Sequence, residues 1–182
     1  EKYRVQDDNR VSDYPMVKLE DILDYEQPTK YIVSDVNYND SYETPVLTAG
    51  KTFILGYTDE TNGIFENHLP VIIFDDFTTA SKFVDFPFKV KSSAMKILHA
   101  KKGVANIKYI YYLMQTIKFK PSEHKRFWIS EYSKLEVPLP PIDLQNEIIK
   151  KIEDKEADIQ RLKSDIEETQ SEIISIVENI WG

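Results

Sequence analysis

The chain has 182 residues, of which 41% are hydrophobic, 12% aromatic and 30% charged, the make-up of a folded chain with room for one substantial core rather than two full domains. It contains no cysteine, which excludes disulfides, thiolate metal sites and a cysteine nucleophile. The net charge of −8 is unevenly spread: residues 1–26 carry −4 and residues 143–182 carry −6, whereas residues 82–126 hold 11 basic and 2 acidic side chains.

No apolar run approaches the roughly 18 to 20 residues that cross a bilayer, and no signal-peptide pattern precedes Tyr14, so a soluble, cytoplasmic protein is expected. Because residue 1 is Glu and an initiator Met is missing, the sequence is expected to be either trimmed or a piece of a longer polypeptide. Residues 1–15 are polar, end at Pro15 and are read as a lead-in segment. The run "MVKLEDILD" from Met16 to Asp24 suits either a strand or a short helix. Short runs rich in Val, Ile, Phe, Tyr and Thr follow, broken by turn residues: "KYIVSDV", "TPVLT", "TFILGY", "LPVIIF", "KFVDFPFKV" and "AMKIL". One helix interrupts them. In "NIKYIYYLMQTIKF", Ile107, Ile110, Tyr111, Met114 and Ile117 form an apolar stripe, with Asn106 as N-cap.

Pro138, Pro140 and Pro141 then end the globular part, and Asp143 is placed to cap a new helix. Beyond it Ile152, Ile159, Ile166, Ile173 and Ile180 recur every seven residues, and Ile148, Leu162 and Ile176 occupy most of the alternate seam. An apolar stripe of period 3.5 is a narrow face that packs against another helix, so a coiled coil of about 38 residues and roughly 57 Å is expected. Lys155 and Thr169 interrupt the second seam position, where register or partner choice can be specified. The fold class is therefore α+β: a mostly β domain at 16–140 with one amphipathic helix, followed by a coiled-coil helix at 141–182.

Enzyme signatures are sparse. There is no glycine-rich phosphate loop or Gly-x-Ser-x-Gly, and His68, His99 and His124 are scattered along the chain. "LPPI" at 139–142 lacks the polar acceptor and aromatic face that an amino-methyltransferase motif needs. Asp143 with Glu153 and Lys155 has nuclease-like spacing, but the two carboxylates would lie about 15 Å apart along one helix and could not share a metal. The basic block is the stronger signal. Lys82, Lys89, Lys91, Lys96, Lys101, Lys102, Lys108, Lys118, Lys120, Lys125 and Arg126 alternate with Phe83, Phe86, Phe88, Tyr109, Phe119, Phe127 and Trp128. Such interleaving suits a surface that follows a phosphate backbone, although a solvated lysine face has the same composition.

The segments "VKLEDIL" (17–23), "TPVLTAGKTFILGYTDETNGIF" (44–65), "PVIIFDDFTTASKFVDFPFKV" (70–90), "YIYYLM" (109–114) and "ISEYSKLEVPLPPIDLQNEIIKKI" (129–152) carry a resemblance. In this order they resemble the target recognition domain and spacer helix of type I restriction-modification specificity (S) subunits, over roughly residues 16–182. Asn146 after Gln145 departs from a Glu-Gln pair expected slightly earlier. Full specificity subunits in that family carry two recognition domains and two helices, whereas this chain has one of each.

The resemblance implies a non-catalytic chain that reads half of a bipartite site in double-stranded DNA and binds methyltransferase (M) and restriction (R) subunits. It also implies that this chain carries no cofactor, with S-adenosylmethionine, ATP and Mg on the partner subunits. Base readout is expected from Thr48, Lys51, Thr52, Phe53, Tyr57, Thr58 and Asn62 and from Thr78, Thr79 and Ser81. Phosphate contacts are expected from Lys82, Lys89, Lys91, Lys120, Lys125 and Arg126. The seam from Ile148 to Ile180 would pair two copies or join a second half. A recognition domain at the C-terminus of a fused restriction-modification enzyme and a protein-only coiled-coil adaptor are the alternative readings.

Overall fold

The computed structural model describes residues 12–121 and 125–181, so most of the lead-in segment and His124 lie outside the described residues. The chain divides into two units, residues 1–142 and 143–182.

The first unit opens with β1 (Met16–Lys18), which pairs antiparallel with the unit's last strand, β9 (Glu136–Pro138), and so joins the two ends of the domain. Pro138 is accommodated because it faces Met16 at a position of the ladder that asks for no N–H, the next bond being given by the Leu139 N–H to the Pro15 carbonyl at 2.9 Å. The ambiguous "MVKLEDILD" run holds both structures expected of it. A single helical turn, α1 (Leu19–Ile22), follows β1 and leads into β2 (Leu23–Glu26).

A four-stranded antiparallel sheet runs in the order β2-β8-β5-β6, with β5 at Val71–Asp75, β6 at Ser81–Val84 and β8 at Met95–Ala100. A three-stranded sheet runs β4-β3-β7, with β3 at Thr44–Leu47, β4 at Ile54–Thr58 and β7 at Lys89–Val90. There β7 lies parallel to β3. "KYIVSDV" does not form a strand. A 3-10 turn occupies Pro28–Tyr31, one bridge joins Ile32 to Val90, and the Ser34 and Asp35 N–H groups donate to the Glu60 carboxylate instead of a ladder.

Val71, Ile72, Ile73 and Phe74 are all fully buried, because β5 is covered on both faces and cannot alternate with water. Val71 and Ile73 join Leu47, Phe65, Val84, Phe88, Val90, Met95 and Ile97 in one apolar cluster. Phe74 meets Trp128 and Tyr132, with ring centroids 5.1 and 4.8 Å away.

The amphipathic helix is α2 (Ile107–Gln115), capped as expected by the Asn106 carboxamide, which accepts from the Lys108 and Tyr109 N–H groups. It buries Tyr109, Ile110 and Met114. Ile117 falls outside it, since Thr116 closes the last turn by donating through N–H and hydroxyl to the Leu113 carbonyl.

The second unit is the body of α3 (Ile142–Glu178). At 37 residues its length is about 56 Å. Asp143 is not its N-cap but lies inside the first turn, where a carboxylate still suits the positive end of the helix dipole. Ile159, Leu162, Ile166, Ile173 and Ile176 are exposed along it, while Ile148 and Ile152 are half-buried. Ile180 is exposed too, but it lies in a turn beyond the helix, its N–H bonded to the Val177 carbonyl. Among the described residues, no helix is long and apolar enough to cross a membrane.

Candidate nucleic-acid interface

Strand directions place three loops at one end of the two sheets. Leu47 at the end of β3 is level with Val90 at the end of β7, and the Lys91 N–H donates to the Leu47 carbonyl at 3.1 Å. The chain then turns through residues 91–94 into β8, whose first residue, Met95, faces Asp75 at the end of β5. The β3–β4 loop, the β7–β8 loop and the β5–β6 tip therefore share this end. Residues 125–128 join them, because the Phe127 N–H donates to the Asp76 carbonyl at 2.8 Å.

Each tip is closed by its own backbone and one polar side chain. In the β3–β4 loop the Thr48 N–H donates to the Phe53 carbonyl, and the Thr48 hydroxyl donates to the Thr52 carbonyl at 2.6 Å. Lys51 and Thr52 remain exposed at the crest. At the β5–β6 tip the Asp75 carboxylate accepts from the Phe77 and Thr78 N–H groups at 2.9 and 2.7 Å. Thr79 completes this turn at φ +60°, the left-handed conformation that lets the chain reverse within so few residues. Behind the crest, Asp76 and Lys96 form an ion pair at 3.0 Å with both side chains 1% to 2% exposed.

The candidate readout residues divide between the two ends. Thr48, Lys51, Thr52, Phe53, Thr78, Thr79 and Ser81 lie at the convergent end. Tyr57, Thr58 and Asn62 do not: Thr58 pairs with Thr44 at the opposite end of β3, about 14 Å along β4 from Ile54. Thr58 is moreover buried, its hydroxyl accepting the Glu60 N–H, so it is corrected from a readout residue to a structural one. Phe53 is half-buried and meets Phe86 edge-on at 6.1 Å, and the Ser81 hydroxyl accepts from the Gln115 carboxamide at 2.9 Å.

Among the candidate phosphate ligands, Lys89 is corrected. Its side chain is 3% exposed, its ammonium pairs with Glu60 at 2.8 Å and donates to the Asn62 carbonyl at 2.6 Å, so it has no route to a phosphate. Gly63 is shaped by the same cluster. At φ +65° it passes so close that a Cβ would strike the Lys30 carbonyl and approach the Lys89 ammonium to 3.3 Å. Lys125 is engaged too, with Glu131 at 2.7 Å. Lys91, Lys120 and Arg126 are exposed, and Lys82 is half-buried on β6. Arg126 lies over the Phe77 ring, 6.0 Å from its centroid, at the β5–β6 tip. Two further members of the basic block are removed from it by the fold: Lys96 by Asp76, and Lys101 by the Glu20 carbonyl and Asp24.

Family comparison decides what kind of chain this is. The family model described as the type I restriction modification DNA specificity domain matches residues 11–173. The chain belongs to that family. Within it, the specificity subunit of the Escherichia coli type I restriction enzyme EcoR124I/EcoR124II is 52% identical over 143 residues, covering 72% of this chain and 35% of the relative. The chain thus spans about a third of that relative's length. The fold is shared with the type I restriction-modification S subunit of M. genitalium (TM-score 0.62, 14% identity, 87% of this chain and 43% of that one). It is shared also with the HsdS subunit of Thermoanaerobacter tengcongensis (TM-score 0.52, 12% identity, 87% and 41%). A chain from a structure of type I R-M complex assembly and conformational transition gives 0.58 at 11% identity, over 94% and 45%.

Sequence reasoning missed Asp76, Gln115 and the meeting of His68 with His99, whose rings lie 6.2 Å apart and perpendicular. Doubled aspartates after "VIIF" were the available signal for the first. The histidine contact joins residues 31 positions apart and leaves no local trace. Among the described residues, no cluster of three or more His, Cys, Asp or Glu side chains is arranged to hold a metal ion.

Proposed function

We propose that residues 16–142 form a target recognition domain that reads half of a bipartite site in double-stranded DNA. In this reading Lys51, Thr52, Thr78 and Thr79 present side chains to base edges, while Lys82, Lys91, Lys120 and Arg126 hold the phosphate backbone. The observation that carries it is the convergence of two backbone-closed tips and exposed cations at one end of the sheets. Phosphate attraction falls off within about 8 Å at physiological salt, so the charges next to the phosphates govern it rather than the net charge of the chain.

The exposed seam Ile159, Leu162, Ile166, Ile173 and Ile176 pairs α3 with the same helix of a second copy or with a second half. So held, the domain directs M and R subunits in the cytoplasm. S-adenosylmethionine, ATP and Mg act on those subunits, and this chain contributes no catalytic group.

The test is a genome-wide map of methylated adenine in cells expressing the neighbouring methyltransferase with and without this chain. A bipartite motif present only with the chain is expected, and a symmetric motif adds that two copies act together. Identical maps would refute the reading and leave a protein-only adaptor.

A further inference from the structure

Asp76 is fully buried at the root of the β5–β6 tip, and direct DNA contact makes no use of it. It is not needed to close the turn, since Asp75 already accepts from Phe77 and Thr78. Its four bonds go elsewhere. One carboxylate oxygen pairs with the Lys96 ammonium at 3.0 Å, and the other accepts the Trp128 N–H at 2.8 Å. Its own N–H donates to the Ala94 carbonyl at 3.0 Å, and its carbonyl accepts the Phe127 N–H at 2.8 Å.

Those partners belong to three different segments. Ala94 ends the loop that carries Lys91, Lys96 lies in β8 and also donates to the Gln27 carboxamide at 3.3 Å, and Phe127 and Trp128 directly follow Arg126. A buried ion pair gains little stability over an apolar pair of the same volume, because both charges must be stripped of water. What fixes the geometry is the acceptor that Asp76 holds out to the Trp128 N–H, since a shift of either segment would leave that buried donor without a partner.

We propose that Asp76 is a positioning residue that locks the β5–β6 tip, the β7–β8 loop and the Arg126–Trp128 segment into one frame and thereby sets sequence discrimination. The inference rests on the DNA-recognition reading and deepens it. Base edges must be met to within a fraction of an ångström, whereas phosphate attraction tolerates displacement, so loosening this frame weakens discrimination and spares bulk binding.

The experiment compares the 182-residue chain with two variants that both lack the buried charges, Asp76→Asn/Lys96→Met and Asp76→Ala/Lys96→Met. They differ in one acceptor for the Trp128 N–H. A random-sequence duplex pool is first enriched on the wild-type chain, and affinities for the enriched motif and a scrambled duplex are then measured across salt. In the Ala variant the ratio of the two affinities is expected to fall about tenfold, with scrambled-duplex affinity and salt slope unchanged, while the Asn variant keeps most of the ratio. Equal ratios in the two variants, or equal losses on both duplexes, would overturn the proposal.

Native-state amide exchange of the wild-type chain decides the matter even if the Ala variant fails to fold. The Asp76, Phe127 and Trp128 amides are expected to open together, and independent opening overturns the common frame without reference to DNA. Should the wild-type chain enrich no motif, the DNA reading fails on its own, while exchange still judges the frame.

Discussion

Replacing Lys89 with Met separates a buried structural cation from a DNA ligand. The substitution keeps the aliphatic stem and removes the ammonium, and with it the 2.8 Å pair with Glu60 and the 2.6 Å bond to the Asn62 carbonyl. Breaking a fully buried pair costs about 3 to 5 kcal/mol. Here the Glu60 side chain is 20% exposed and keeps the Ser34 and Asp35 N–H donors, so the cost belongs below that range, at about 2 to 3 kcal/mol. At roughly 2 to 4 °C per kcal/mol for a chain of this size, the melting midpoint of the first unit drops by about 4 to 12 °C. Trp128, 2% exposed, reports that transition by fluorescence, in a Trp181→Phe background that removes the exposed tryptophan beyond α3.

The same variant has an acid signature. Burial pushes the Glu60 carboxyl up, but the Lys89 ammonium and the Asp35 and Ser34 N–H groups outweigh it and hold the carboxyl below the ordinary value of 4.5. A carboxyl depressed in the folded state contributes stability that is present above 4.5 and is lost as the pH falls through the lower folded value. Lys89→Met removes part of that contribution, so wild type and variant converge in stability on the acid side of 4.5. An unchanged melting midpoint combined with a salt slope of DNA binding reduced by about one would refute the argument and return Lys89 to the phosphate ligands.

Lys120→Ala is expected to do the reverse, weakening binding equally on all duplexes and lowering the salt slope by about one, with the melting midpoint unmoved; sequence-dependent loss would show that it reads bases. Gly63→Ala places a Cβ against the Lys30 carbonyl at a positive φ, and should cost about 1 to 3 kcal/mol in urea unfolding. No loss there would mean the 62–64 turn relaxes freely. Ile166, 57% exposed, can be changed to Glu without disturbing the first unit's melting, while sedimentation should show self-association lost. An unaltered sedimentation profile would remove the heptad seam from the pairing surface.

The elements that local chemistry dictates were readable from sequence. β3, β5 and β8 follow from β-branched runs bounded by turn residues, α2 from its stripe and Asn106, and α3 from a proline junction and isoleucine heptads. What resisted reading was the direction in which a charged side chain on a strand points. Lys89 and Lys96 look like members of a basic face. Each instead enters the interior because a carboxylate distant in sequence, Glu60 or Asp76, waits there. Likewise Tyr57, Thr58 and Asn62 share a segment with Thr52, yet a five-residue strand carries them to the other end of the sheet. The candidate interface was therefore legible as a region but not residue by residue.

The β3–β4 tip is held by the Thr48 hydroxyl, the Thr48 N–H and the carbonyls of Thr52 and Phe53. Closure falls to groups other than the Lys51 and Thr52 side chains, which stand at the crest and can be exchanged at little folding cost. A lineage of such chains can drift at these two positions while keeping the hairpin intact, trying new surface chemistry as one changes type in a fixed printing frame. Separating the groups that hold a loop from those that face outward turns a rigid turn into an alphabet open to revision.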